Sequence, residues 1–304
     1  MQKYILIRIV QAIFTIIIVA ILVFFLMRLT GDPVAIMVPP DAEEADFKAL
    51  EQKYGLDKPL IIQFFIFLKS AARGDCGESF KWAEPALRLV VTRCSATMEL
   101  AIAAALIAWG IGIPIGIITA VKRDSWFDRF GKIFALIGQA TPSFWLGVML
   151  ILLFSVVLGW LPVSGRTETK SIIMPAATVS FIMLAAVVRL SRSAMLDALN
   201  SEYVTLARIK GVPRLYVVLI HAFKNASIPI VTIMALQISH LFMGAVIAEQ
   251  IFSWPGVGRL ALEAVFARDY PVVQSVVLLT SFIFCTVNIL VDIIYAYIDP
   301  RIRY

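Results

Sequence analysis

The sequence predicts an all-α membrane protein with six transmembrane helices, and three observations carry that prediction. Of its 304 residues, 60% are hydrophobic and 16% charged, against about a quarter charged in soluble domains. The apolar residues gather in six runs: roughly 9–27, 95–120, 131–158, 171–190, 226–248 and 274–298. A helix needs about 20 such residues to cross ~30 Å of hydrocarbon. Basic residues, finally, are distributed unevenly between the segments that join the runs.

The first run, IVQAIFTIIIVAILVFFLM, follows Lys3 and Arg8 as the core of a signal peptide would. It is too long for that role, and the RLTGDP that follows offers no small-residue cleavage site, so residues 1–28 are expected to be the N-terminus and a retained first span. Residues 29–94 form one long excursion between the first two spans. Asp41 is placed to cap a short amphipathic helix reaching about Tyr54, with Gly55 ending it. KPLIIQFFIFLKSAARGDCG reads as a second amphipathic helix, lying at the membrane interface or packed on the helix ends.

Residues 95–304 carry the other five spans. Gly110, Gly112, Pro114 and Gly116 fall inside the second and Pro142 inside the third, while Pro175 and Pro229 lie near helix starts, where proline costs little. Glycine lets helices approach closely, and a proline within a span frees a carbonyl that neighbours must satisfy. Orientation follows from the basic residues at the helix ends. The N-terminus, VKRDSWFDRFGK, the segment from Arg189 to Lys224 and the tail DPRIRY hold 14 basic and 5 acidic side chains. The other side, counted together with the few charges inside the second and sixth spans, holds 13 basic and 16 acidic; +9 and −3 give the chain's +6. Both termini and segment 191–224 are therefore expected in the cytoplasm and 29–94 outside. Topology accounts for the positive charge, so no nucleic-acid partner is implied.

Segment 191–224 is too short for a catalytic domain. In SEYVTLARIKG, apolar residues at 203, 204, 206, 207 and 209 are flanked by Glu202, Arg208 and Lys210. Ser201 is placed to cap a short helix, Gly211 to end it and Pro213 to prevent its continuation. PRLYVVLIHAFKNAS then leads back to the membrane as a second helix. Such a knob binds lipid headgroups or docks in a groove on another protein.

Enzymatic chemistry has little support. The two histidines, His221 and His240, form no HExxH, no serine elbow is present, and no GxxxxGK[ST] phosphate loop exists. Cys76, Cys94 and Cys285 have no metal-binding spacing; Cys76 and Cys94 would both face the outer side, as free thiols or as a disulfide. A secondary transporter or channel would carry charge near the bilayer midplane. Asp292, with Asn288 one turn before it, is the main candidate, but it stands only about two turns from DPRIR, which suits a structural pairing. Glu99 and Glu249 lie near outer helix ends, where they would snorkel.

EYVTLARIKG followed by HAFKNASIP resembles the cytoplasmic coupling loop of ABC-importer permeases, specifically those of the dipeptide, oligopeptide and nickel group. Their general pattern is Glu-Ala-Ala, three residues, Gly. Its glycine falls on Gly211 and its second alanine on Ala207, while Thr205 and Leu206 replace the Glu and first Ala. YGLDKPLIIQF, ATPSFWLGVMLILLFSVVLGWLPVSG, FSWPGVGRL, RDYPVVQ and NILVDIIYAYIDPRIR are similar, in order, to the first permease subunit of these importers. The resemblance implies the type I ABC-importer permease fold in a bacterial inner membrane. It also implies a second homologous permease subunit, two cytoplasmic ATP-binding subunits that use ATP and Mg, and an extracytoplasmic solute-binding protein; this chain binds no cofactor. ATPase coupling would fall to Glu202, Tyr203, Thr205, Leu206, Ala207, Arg208, Lys210 and Gly211, braced by His221, Asn225 and Pro229. In the last outer loop, Trp254, Pro255, Gly256 and Gly258 would form a rigid turn and Arg268, Asp269 and Tyr270 a polar one, at an outer gate or facing the binding protein. Short peptides are the expected substrate; metal chelates, opines, glutathione and oligosaccharides are the alternatives. No methionine–histidine–cysteine cluster marks a metal path.

Overall fold

The computed structural model describes residues 2–29, 31, 34 and 44–298. Asp41 and the tail from Asp299 lie outside them. The described residues are helical apart from connecting turns and one isolated bridge between Glu78 and Pro85. In order they form α1 (Gln2–Leu29), α2 (Glu44–Tyr54), α3 (Leu60–Ala71), α4 (Ala86–Val121), α5 (Trp126–Ala140), α6 (Ser143–Leu150), α7 (Ile173–Leu199), α8 (Glu202–Ile209), α9 (Phe223–Ile251), α10 (Val257–Phe266) and α11 (Tyr270–Ile298). Among the described residues five helices are long and apolar enough to cross a membrane, or six when α5 and the helix after it count as one span.

The expected third span is broken. α5 and the helix formed by Ser143–Val157 meet at 104° across Thr141 and Pro142. Thr141 adopts φ −80°, ψ 120°, the extended conformation that a following proline ring imposes on its neighbour. Other helices outrun their apolar windows. α4 begins at Ala86 rather than 95, and α7 continues to Leu199 rather than 190, so Arg189 and Arg192 stand on a helix instead of in a loop. The two pieces expected after Gly211 merge: Arg214–Tyr216 and a π-helical stretch, Val217–Ala222, run directly into α9.

Contacts divide the chain into two compact units, one of residues 1–96 with 256–290, the other of 97–255 with the end of α11 from Val291. In the first, Arg28 donates to Gln63 Oε1 through Nε (3.1 Å) and Nη2 (2.7 Å) and lies over the Phe24 ring, tying α1 to α3. A core of Val23, Val90, Leu260, Val272 and Val276 joins α1, α4, α10 and α11. No disulfide links Cys76 and Cys94. Burial pushes the Cys76 thiol up, which disfavours its thiolate.

In the second unit, α7 packs against α5 and α9. Small residues set the approach. A side chain added at Gly116 would come within 2.5 Å of Ser191 Cβ and 2.9 Å of the Val188 carbonyl, and one at Gly138 within 2.6 Å of Ala185 Cβ. Gly112, one turn before Gly116, meets Val187 in the same way, while Gly110 borders open space. The glycines of α4 thus divide by face: those spaced four apart meet α7. Polar bonds reinforce the packing. Asp128 is buried and accepts from Arg192 Nε (2.5 Å) and Nη2 (2.9 Å) and from Lys132 Nζ (2.9 Å), pinning the start of α5 to α7. Gln237 accepts from Trp109 Nε1 (3.0 Å) and donates to the Met183 carbonyl (2.9 Å), joining α4, α9 and α7.

Candidate functional site

Ser201 has the extended backbone of an N-cap, but its hydroxyl donates back to the Ala198 carbonyl (2.5 Å) instead of capping α8. Glu202 supplies negative charge to the first turn and Arg208 positive charge to the last, each opposite in sign to its end of the helix dipole. At the other end the Gly211 N–H donates to the Arg208 carbonyl (3.0 Å) and the Val212 N–H to that of Ala207 (3.2 Å). These are the two bonds of a Schellman cap, and Gly211 takes the left-handed φ of +77° that the cap requires. A side chain there would touch nothing within 4 Å, so only backbone conformation demands glycine.

The knob has two apolar sides. Val204 and Ala207 are buried in a cluster with Ala194, Met195, Ala198 and Leu199 of α7, Val217 and Val218, and Ala222, Ala226 and Ile230 beyond them. Ala207, expected at a partner's groove, is 8% exposed and packs inward. The outward apolar edge is Tyr203, Leu206 (58% exposed) and Ile209 (76%), with Glu202, Thr205, Arg208 and Lys210 exposed around it. Ile209 belongs to that edge although its helical position alone did not single it out. Bracing also shifts. His221 is half-buried in the π-helical stretch, Pro229 half-buried in α9, and Asn225 exposed, so packing falls to Ala222, Ala226 and Ile230. Arg214 Nη2 reaches the Val121 carbonyl at the end of α4 (3.4 Å).

At the far end of α9, Trp254 is buried, its N–H bonded to the Glu249 carbonyl (2.9 Å) and its ring 5.8 Å from the Arg166 guanidinium. The turn's left-handed residue is Ser253 (φ 49°); Gly256 is extended, and Gly258 lies within the first turn of α10 rather than in the turn. Glu249 is fully buried and accepts from Thr97 Oγ1 (2.6 Å), which corrects the expectation that it snorkels. Glu99 pairs with Arg166 (2.6 Å). Arg166, in the loop between Val157 and Thr169 whose neighbours in sequence carry no motif, escaped the sequence reading.

In the other unit Asp269 is buried and accepts from Ser79 Oγ (2.5 Å), Lys81 N (3.1 Å) and Val272 N (3.3 Å). Tyr270 is also buried and donates to the Gly31 carbonyl. Arg268 is half-buried with φ 49°. Trp254, Asp269 and Tyr270 therefore hold their turns from within and offer no side chain to a binding protein. Asn288 and Asp292 are half-buried one turn apart on α11, and each is engaged by other groups. Among the described residues no group of three His, Cys, Asp or Glu could hold a metal ion.

Residues 112–304 match the family model described as binding-protein-dependent transport system inner membrane component, and residues 1–101 match the N-terminal model of the same membrane components. The glutathione transport system permease proteins GsiC of Salmonella typhimurium (strain LT2) and Escherichia coli (strain K12) are each 40% identical over 305 residues, covering 100% of both chains. Among solved structures, the MetNI methionine ABC transporter in inward-facing conformation superposes with a TM-score of 0.60 at 16% identity, over 69% of this chain and 96% of that one.

Proposed function

The chain belongs to the binding-protein-dependent transport system inner membrane component family, and from that premise we propose that it forms half of the path by which an ABC importer brings short peptides, glutathione first among them, across the inner membrane. The permease role and fold are those of its relatives, which are not themselves enzymes. ATP and Mg are used by cytoplasmic partners, and a solute-binding protein delivers the substrate to this chain and a second permease of the same fold.

The observation that carries the substrate is the 40% identity, end to end, with permeases named for glutathione transport. The coupling role is supported by the exposed edge of Tyr203, Leu206 and Ile209, rimmed by Glu202, Arg208 and Lys210. Burying such an edge contributes only a few kcal/mol at ~25 cal/mol per Å², so docking is reversible within a transport cycle. The basic flanks of the knob and of Lys122–Lys132 support its placement in the cytoplasm.

The test is uptake into proteoliposomes holding the assembled complex and its binding protein. Labelled glutathione is expected to be taken up in an ATP-dependent way and to outcompete a dipeptide; competition in the opposite order assigns the dipeptide instead. For orientation, a cysteine replacing Glu44 should react with an impermeant thiol reagent in intact cells and one replacing Arg214 should not; the reverse pattern refutes the topology.

A further inference from the structure

We propose that the crevice between α5 and α7 binds the phosphate of an anionic phospholipid. It has a volume of about 370 Å³, and Lys132, Leu136, Gln139, Val188, Arg189 and Arg192 line it. Gly131 and Ala135, also in its wall, supply too little side chain to fill it.

Its charge is the first argument. Three cations surround it and one carboxylate, Asp128, lies against them, leaving +2. Asp128 engages Arg192 through Nε and Nη2 and Lys132 through one contact, and Arg189 gives Nη1 to Gln139 Oε1 (3.0 Å). A guanidinium has five N–H donors and an ammonium three, so all three cations keep donors beyond those bonds. A phosphodiester presents acceptor oxygens of the matching sign. Lys132 and Arg189 are exposed, so a ligand reaches them without breaking the buried Asp128–Arg192 pair.

The apolar surroundings decide between a lipid and a soluble anion. Leu136 lines the crevice and is also part of an exposed face with Ile133 and Ile137, each more than half exposed, on a helix that belongs to a membrane span. A free anion would leave that face uncovered, whereas the first methylenes of an acyl chain would lie on it. Basic pockets between transmembrane helices are where anionic headgroups collect.

The test uses the full-length chain assembled with its partner subunits in phosphatidylcholine nanodiscs. Spin-labelled phosphatidylglycerol and phosphatidylcholine are compared for the fraction immobilised on the protein. The wild type should prefer phosphatidylglycerol. Lys132→Gln with Arg189→Gln, which spares the Asp128–Arg192 pair, should lower that preference by about fivefold or more. Lys132→Arg with Arg189→Lys should retain it, and so should Arg129→Gln, a charge lost from the same helix outside the crevice. Equal binding of the two lipids by the wild type, an undiminished preference in the double glutamine variant, or an equal loss in Arg129→Gln overturns the proposal. Displacement by millimolar inorganic phosphate at constant ionic strength overturns the lipid assignment in favour of a soluble-anion site.

Discussion

The knob at 201–213 and the turn at 268–272 look alike in sequence, each a short polar interruption beside a proline, yet they are built in opposite senses. The turn takes its carboxylate inward: Asp269 is 0% exposed and is satisfied by Ser79 Oγ and two backbone N–H groups. The knob leaves its charges outside, takes Val204 and Ala207 inward, and is left with a second apolar edge that stays exposed among the described residues. A polar group fully satisfied from within adds rigidity and has nothing left to offer a partner. An exposed apolar edge on a well-anchored helix adds little to the fold and is available for docking. Position in the hydrogen-bond network, more than residue type, therefore separates the part that holds the fold from the part left free to meet a partner.

The largest effect that would sharpen this contrast is expected at the turn. Asp269→Ala strands the buried Ser79 hydroxyl and the part-buried Lys81 N–H without an acceptor and should cost about 2–4 kcal/mol, read as a lower unfolding midpoint in detergent. A midpoint equal to wild type would show that Asp269 is not a structural latch. A smaller effect is expected at Gly211. Because φ is +77° and the surrounding space is open, Gly211→Ala and Gly211→Leu should cost the same, about 1–2 kcal/mol, and Gly211→Asn less. Each should weaken coupling in proportion to the strain, measured as substrate-stimulated ATP hydrolysis. If Leu were much worse than Ala, side-chain size and not backbone conformation would be the cause.

The sequence made these regions legible to different depths. The helix end at Gly211 was readable because its determinants lie within a few residues. The inward turn of Ala207 was not, since α8 is apolar at five positions and only packing against Met195 and Val217 decides which of them face in. The satisfied state of Asp269 was out of reach for another reason: its main partner, Ser79, is 190 residues away. Span ends were misplaced where charge was read as solvent exposure. Arg192 remains helical because buried Asp128, 64 residues earlier, satisfies it, and hydropathy counts the charge but not its partner. Pro142 marked a break, yet a residue type cannot carry the angle of 104°.

The central claim is that the exposed edge of α8 docks on an ATPase subunit, and one variant addresses it directly. Leu206→Asp combined with Ile209→Asp places two charges on that edge without entering the core that holds the knob. Surface substitutions of this kind change stability by roughly 0.5 kcal/mol or less, so the permease should insert and unfold at the wild-type midpoint. The measurement is ATPase retained on affinity-purified permease, together with substrate-stimulated hydrolysis. The account predicts that both fall to near background while the second permease subunit stays bound. A complex that keeps its ATPase and its stimulation would contradict it.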